Sequence, residues 1–157
     1  TGRAAYLIQS DGPERDPQDW TPEFSRRARG FPVYAALRSL GREGTTALVE
    51  RCCQLATRMA ARLRDGAPAG VEVRILNEVV LNQVLVRFEP RAGDAGAFTK
   101  AVVTRVQREG TCWMAGTRWH DLDAMRISIS NWSTTEEDID RSARAILACA
   151  RAEAGGK

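Results

Sequence analysis

The chain contains almost no lysine. Of its 23 basic side chains only two are lysines, Lys100 and Lys157, and all the others are arginines. Chemistry that needs a lysine amine, such as a Schiff base with a carbonyl compound, therefore has very few candidate residues here. The net charge is only +3 and the basic residues are scattered along the chain. This distribution does not indicate nucleic-acid binding.

Long hydrophobic runs and self-contained catalytic motifs are also missing. No apolar run approaches the roughly 20 residues of a membrane span, and no signal-peptide pattern opens the chain. The sequence has no Gly-rich phosphate loop and no GxSxG nucleophile motif. The chain has four cysteines, Cys52, Cys53, Cys112 and Cys149, and they lack the spacing of metal ligands. Cys52 and Cys53 are adjacent on a predicted helix, which does not indicate a disulfide framework. We therefore expect buried thiols and a cytoplasmic protein.

Histidine occurs once, as His120, in a connection between two predicted strands. A single histidine in an exposed loop is more often an ordinary polar residue than a general base. Three tryptophans lie near it in the sequence (Trp113, Trp119 and Trp132). They could line an aromatic pocket, but packing in the core or at an interface is the more common role of tryptophans at strand ends.

The first half of the chain predicts a loop followed by two helices. Residues 1–31 lack sustained periodicity, and their Pro/Asp/Gly-rich stretch SDGPERDPQDWTPE is typical of an exposed loop. The first predicted helix covers about residues 32–40 and ends at Gly41. The second covers about residues 45–64 and carries five apolar side chains at helical spacing: Leu48, Cys52, Leu55, Met59 and Leu63.

After residue 70 the pattern indicates strands as well as helices. VEVRIL and VVLNQVLVRFE predict two strands, and TCWMAGTRW and AMRISIS predict two more that are joined by HDLD. Amphipathic helices are predicted at residues 95–109 and 134–152. Residues 70–152 therefore predict a β-β-α-β-β-α order, which is an α+β domain with a small, mostly antiparallel sheet and helices on one face.

The last strand and helix carry a distinctive stretch, AMRISISNWSTTEEDID at residues 124–140. Met125, Ile127 and Ile129 alternate with polar residues, which places Arg126 on the polar face of a half-buried strand. Ser133 and Glu136 have the spacing of a capping box, and acidic residues follow at the predicted start of the helix. Most arginines in such a position are solvated surface charges without a specific role.

Four stretches in this order resemble the C-terminal part of the group II pyridoxal-phosphate-dependent amino-acid decarboxylases. That family includes the glutamate, aromatic-amino-acid, histidine and diaminobutyrate decarboxylases. The stretches are AAYL at 4–7, FSRRARGFPVYAALRSLGREG at 24–44, ALVERCCQLATRMAARL at 47–63 and MRISISNWSTTEEDID at 125–140. The Ser-Arg-Arg helix entry and the Arg-x-x-x-Ser-Asn…Asp-Ile-Asp ending are specific in combination, although each is weak alone.

The resemblance implies the fold type I scaffold shared with aspartate aminotransferase, which has a large α/β cofactor-binding domain and a small C-terminal domain. Residues 1–31 would be the tail of the large domain, residues 32–69 would be connecting helices, and residues 70–157 would be the small domain. The same resemblance implies a homodimer that binds pyridoxal 5'-phosphate and an amino-acid substrate, without nucleic acid or membrane partners.

The family's cofactor-binding residues have no counterpart here. Its Schiff-base lysine and the aspartate that pairs with the pyridine nitrogen lie upstream of the stretch matched at AAYL, whereas Lys100 lies on a predicted amphipathic helix. We therefore expect these 157 residues to be a C-terminal fragment that is inactive alone and binds no cofactor, with no cofactor-binding or metal-binding residue of its own.

Two residues resemble active-site residues of the whole enzyme. Arg126 matches the arginine that pairs with the substrate carboxylate, and a planar guanidinium can fix a carboxylate through two parallel hydrogen bonds. Tyr6 matches the tyrosine of the mobile catalytic loop that protonates carbon after carbon dioxide leaves, and a phenol is a suitable acid because its pKa is near 10. The ordinary alternatives are an ion-paired arginine and a packed tyrosine.

Two other classes of function remain open. The chain could be the small domain of a different fold type I enzyme, such as an aminotransferase or a carbon–carbon lyase, or it could be a free-standing α+β interaction module. Tyr6 and the Ser-Asn…Asp-Ile-Asp ending favour a decarboxylase over the first of these. The Pro/Asp-rich lead-in argues against the second, because an independent module would not need it.

Overall fold

The structure is a computed structural model that describes Trp20 and residues 27–156. The chain separates into two compact units, Thr1–Arg42 and Glu43–Lys157. The elements are α1 (Gly30–Asp65), β1 (Val71–Ile75), β2 (Gln83–Pro90), α2 (Ala95–Glu109), β3 (Ala115–Trp119), β4 (Leu122–Ser128) and α3 (Glu136–Gly155). None of the helices in the described residues is long and apolar enough to span a membrane.

Helix α1 is two helices joined at a kink. Gly41 has φ 65°, in the left-handed region that glycine adopts without a steric penalty. The predicted break at Gly41 is therefore confirmed. In the part of α1 after the kink, four of the five side chains predicted to share a face are buried (Cys52, Leu55, Met59 and Leu63), while Leu48 is half-buried.

The four strands form one antiparallel sheet in the order β1-β2-β4-β3. Val84, Val86 and Phe88 point to one face and are fully buried, as the alternation in the sequence predicts. They belong to a single core that also contains buried side chains from the second part of α1, from α2 and from α3. The predicted α+β class, with an antiparallel sheet and helices on one face, is confirmed.

Two predicted strands begin later than expected because side chains take over their hydrogen bonds. β2 starts at Gln83, since the Asn77 amide accepts a hydrogen bond from the Leu85 N–H and donates to the Gln83 carbonyl, which makes residues 76–82 a loop. β3 starts at Ala115, because the preceding residues are held by side chains at the end of α2.

The start of α3 differs from the predicted capping box. Thr135 is the N-cap and pairs reciprocally with Asp138, so the box lies two residues beyond the predicted Ser133 and Glu136. The physical reason is a local turn. The Asn131 side chain accepts hydrogen bonds from the backbone and hydroxyl of Ser133, which keeps that residue outside the helix.

Candidate functional site

Within residues 43–156 the helices pack against one face of the sheet, and we call the opposite face the open face. Met125 and Ile127 of β4 point into the core and are almost completely buried, so their neighbours Arg126 and Ser128 point the opposite way and are exposed. The open face includes Leu85, Arg87, Ala115, Trp119, Arg126 and Ser128, by their register on β2, β3 and β4.

Arg126 stands at the centre of this face on a strand that is paired on both sides. Leu85 of β2 and Ala115 of β3 are its cross-strand partners, and Ala124 lies two residues earlier on the same face. Leu85 and Ala124 are only 8% and 2% exposed. The long aliphatic stem of an arginine can cover such apolar neighbours while its guanidinium stays in water. Because β4 is paired with a strand on each side, the backbone at Arg126 is held rigidly.

The Arg126 guanidinium has no hydrogen-bond or ion-pair partner within residues 27–156, whereas the other arginines of the open face are engaged. Arg74 of β1 is the cross-strand partner of Arg87 on this face, and it pairs with Glu89 at 2.8 Å. Arg87 pairs with Glu89 at 3.2 Å and donates to the Asp123 carbonyl at 2.8 Å. Arg126 alone among them keeps its planar fork of donors available for a carboxylate.

Lys100 does not fit the role of a cofactor-binding lysine. It lies on α2, which packs against the helix-covered side of the sheet, opposite to Arg126. Its side chain is 66% exposed, and its ammonium pairs with Asp123 at 2.9 Å. This hydrogen bond is the main reason why the pKa of the Asp123 carboxyl lies below its ordinary value. The described residues therefore supply no lysine that faces Arg126, and they do not fit pyridoxal phosphate by themselves.

Of the other residues that the sequence singled out, the structure describes His120, whereas Tyr6 lies outside the described residues. His120 and Asp121 form the tip of the β3–β4 hairpin, each with positive φ, and the His120 ring meets the Trp119 ring edge-on at 4.6 Å. No group of acidic, histidine or cysteine side chains within residues 27–156 has the arrangement of a metal site.

Asp140 forms an ion-pair cluster with two arginines of α1 that the sequence motifs did not predict. Asp140, the last residue of the Asp-Ile-Asp ending, accepts two hydrogen bonds each from Arg58 and Arg62, at distances between 2.8 and 3.0 Å. These bonds, from Arg58 first, hold the pKa of the Asp140 carboxyl well below its usual value. Asp140 thus clamps α3 to α1. Only the i, i+4 spacing of the two arginines pointed to a shared partner.

The fold resembles parts of solved decarboxylases and of an aldehyde synthase. It matches the glutamate decarboxylase domain of diaminobutyrate-pyruvate transaminase and L-2,4-diaminobutyrate decarboxylase from Vibrio parahaemolyticus, with a TM-score of 0.62 and 19% identity over 75% of this chain and 25% of that chain. It also matches Oryza sativa TDC solved with PLP and tryptamine, with a TM-score of 0.68 and 18% identity over 86% of this chain and 29% of that chain. A third match is Rhodiola rosea 4-hydroxyphenylacetaldehyde synthase, with a TM-score of 0.68 and 20% identity over 88% of this chain and 29% of that chain. The chain thus spans between a quarter and a third of their length. No curated protein gives a significant match.

The sequence itself assigns the family. Residues 3–89, more than half of the chain, match the model of the pyridoxal-dependent decarboxylase conserved domain. The chain therefore belongs to the pyridoxal-dependent decarboxylase family, as the resemblance predicted, and the family's cofactor is the predicted one. The matched residues include Tyr6 but end before Arg126.

Proposed function

We propose that this chain is the C-terminal portion of a pyridoxal-phosphate-dependent enzyme that removes the α-carboxylate of an amino acid as carbon dioxide. Membership of the decarboxylase family and the shared fold support this reaction. The proposal keeps the predicted division into a large-domain tail (1–31), connecting helices (32–69) and a small domain (70–157). It also keeps the cytoplasmic location and the homodimer of the whole enzyme.

Arg126 is the residue that carries the proposal. Arg126 is exposed on a central strand, its cross-strand partners are the apolar Leu85 and Ala115, and its guanidinium lacks a partner in the described residues. A carboxylate of the amino-acid substrate is the natural partner of such a fork, because two parallel hydrogen bonds fix its orientation as well as its position.

The chemistry favours the side-chain carboxylate over the α-carboxylate. An ion pair to the leaving α-carboxylate stabilises the charged substrate, and this stabilisation weakens as neutral carbon dioxide forms, so it opposes the reaction. An ion pair to a side-chain carboxylate persists throughout and orients the substrate without this cost. We therefore propose an acidic amino acid as the substrate. The names of the neighbours do not decide this, because they include a glutamate decarboxylase domain of an L-2,4-diaminobutyrate decarboxylase and an enzyme solved with tryptamine.

The 157 residues alone are proposed to be inactive. Their only lysine within the described residues is solvent-exposed and paired with Asp123 on the helix-covered side. The family's chemistry needs a lysine in the substrate pocket, and pyridoxal phosphate supplies the electron acceptance that the protein side chains lack.

Tyr6 is proposed as the acid that protonates the carbon from which carbon dioxide departs. The support is its place in AAYL, within the residues that match the family model. Tyr6→Phe in the whole enzyme should lower the yield of amine per carbon dioxide released, because the phenol proton is missing. An unchanged yield would remove Tyr6 from this role.

Arg126→Lys in the whole enzyme tests the site. Loss of a charge-assisted hydrogen bond costs about 1.5–3 kcal/mol, so kcat/KM should fall about ten- to a hundredfold although the charge is kept. Arg74→Lys is the matched control, because Arg74 lies on the same sheet but already pairs with Glu89. Cofactor affinity should be unchanged in both variants. Near-normal turnover of Arg126→Lys would contradict the proposed role.

A second candidate is another reaction of the same fold. A neighbour of similar TM-score is named as an aldehyde synthase, not a decarboxylase. Product analysis separates the two, because a decarboxylase yields carbon dioxide and an amine, whereas an aldehyde product would favour the alternative.

A further inference from the structure

Strand β2 begins with Gln83, whose side chain lies on the open face beside Arg126. The next residue, Val84, is fully buried in the core, so Gln83 points the opposite way and is exposed. The cross-strand partner of Gln83 is Ser128, and the partner of Arg126 is Leu85. Gln83 and Arg126 are therefore diagonal neighbours on β2 and β4. Such neighbours are about 7–8 Å apart, and two long side chains at this distance can reach the same ligand.

The backbone of Gln83 is held by two asparagine side chains. The Asn77 amide donates to the Gln83 carbonyl at 3.1 Å. The Asn82 amide donates to the Ile129 carbonyl at 2.9 Å, and the Ile129 N–H donates to the Asn82 carbonyl at 3.0 Å. These bonds continue the pairing of β2 with β4 beyond Gln83 and Ser128, so Gln83 is not a free strand end. A side chain that orients a ligand needs a backbone that is fixed in this way.

The side-chain amide of Gln83 makes no hydrogen bond within residues 27–156, and neither does the Ser128 hydroxyl. The Arg126 guanidinium beside them is also without a partner in this part of the chain. Farther along β2, by contrast, Arg87 is paired with Glu89. The open face thus carries three neighbouring polar side chains, on two paired strands, whose donors are all available to a ligand.

A carboxylate has room for more hydrogen bonds than one arginine supplies. Its two oxygens accept about four hydrogen bonds, and a guanidinium fork fills two of these positions. A glutamine amide can donate to a third position without carrying a charge. A glutamate at the same place would instead pair with Arg126 and occupy the fork. The neutral amide of Gln83 therefore adds a donor for an anion and leaves the arginine available.

We propose that Gln83 is a second substrate-binding residue, whose amide N–H donates to the carboxylate that Arg126 holds. The inference rests on the function proposed for Arg126 and deepens it, because the site then extends over two strands. Two donors that approach from different strands restrict the position of the carboxylate more than one donor does. Gln83 thus contributes to the preference for an acidic amino acid. This side-chain carboxylate keeps its charge throughout the reaction, so the hydrogen bond is equally strong before and in the transition state.

Gln83→Met in the whole enzyme tests the proposal, because methionine has a similar length and no N–H donor. The KM for the acidic amino acid should rise about tenfold while kcat changes less than about twofold, since the lost interaction is made equally in the ground state and the transition state. The KM for an amino acid with an apolar side chain should not change. A merely structural role would affect both substrates alike. Gln54→Met is the matched control, because Gln54 is exposed on α1, and it should change neither constant.

Gln83→Glu in the 157-residue chain tests the geometry without any enzyme activity. The new carboxylate would lie diagonal to Arg126, so its pKa in an NMR titration should be below the ordinary value of glutamate. This lowering should disappear when Arg126→Gln is added. A pKa that is the same with and without Arg126 would contradict the shared position of the two side chains.

Arg126→Lys in the whole enzyme separates the two claims. If Arg126→Lys lowers kcat/KM for the acidic substrate but Gln83→Met leaves KM unchanged, the role of Gln83 is overturned and that of Arg126 stands. If Arg126→Lys has no effect, the function proposed for Arg126 is overturned, and the role of Gln83 with it.

Discussion

Replacing Thr99 by valine should strongly destabilise the compact unit Glu43–Lys157, although the two side chains have nearly the same shape. Thr99 is fully buried on α2, and its hydroxyl accepts a hydrogen bond from the Phe88 N–H (3.1 Å) and donates to the Phe88 carbonyl (3.2 Å). The paired register of β2 with β4 ends at Val86, so this hydroxyl serves backbone groups that lie beyond the paired part of the ladder.

The expected cost follows from the two backbone groups that would be orphaned. A buried donor or acceptor left without a partner costs about 1–3 kcal/mol, and the added methyl group returns only part of this. The unfolding free energy should therefore fall by about 2–4 kcal/mol, a large fraction of the roughly 5–15 kcal/mol typical of a domain.

Urea unfolding followed by circular dichroism measures this loss. At a slope of about 2 kcal/mol/M, the midpoint should fall by roughly 1–2 M. Thr104→Val is the matched control, because Thr104 lies on the same helix and its exposed hydroxyl donates only to the Lys100 carbonyl. That variant should change the unfolding free energy by less than about 0.5 kcal/mol. Equal midpoints for the two variants would refute the role given to Thr99.

Two further predictions concern charge and cofactor. The lowered pKa of Asp140 means that its carboxylate stabilises the fold above about pH 4 and loses this effect as the pH falls. Acid titration should therefore reduce the unfolding free energy of the wild type more steeply than that of Asp140→Asn, and parallel curves would contradict the clamp. Pyridoxal phosphate added to the 157-residue chain should give no stable lysine-bound absorbance after gel filtration, because Lys100 is exposed and ion-paired. A yellow species that disappears in Lys100→Ala would contradict this.

The order of elements could be predicted because each carries its own local signal. Gly41 and Gly110 end helices at left-handed conformations, and the alternation around Phe88 and Ile127 matches their burial. The first residues of β2, β3 and α3 differ from the predicted ones for another reason. Side chains such as Asn77 and Asn131 bind the neighbouring backbone, and the apolar pattern does not record these hydrogen bonds.

The candidate site was predictable only in part. Alternation placed Arg126 on the polar face of its strand, but the strand order decides that Leu85 and Ala115 are its neighbours. Strand order depends on long-range pairing, which local periodicity does not encode. The Asp140 clamp went undetected for the same reason, because its arginines lie about 80 residues away in the sequence.

Release of carbon dioxide from a labelled substrate tests the central claim most directly. The whole enzyme that contains this chain would be given amino acids labelled at the α-carboxyl carbon, one with an acidic side chain and one with an apolar side chain. We expect labelled carbon dioxide, preferentially from the acidic substrate, and a loss of that preference in Arg126→Lys but not in Arg74→Lys. Turnover that retains the label in the organic product would contradict a decarboxylase. Equal preference in wild type and Arg126→Lys would contradict a substrate carboxylate at Arg126.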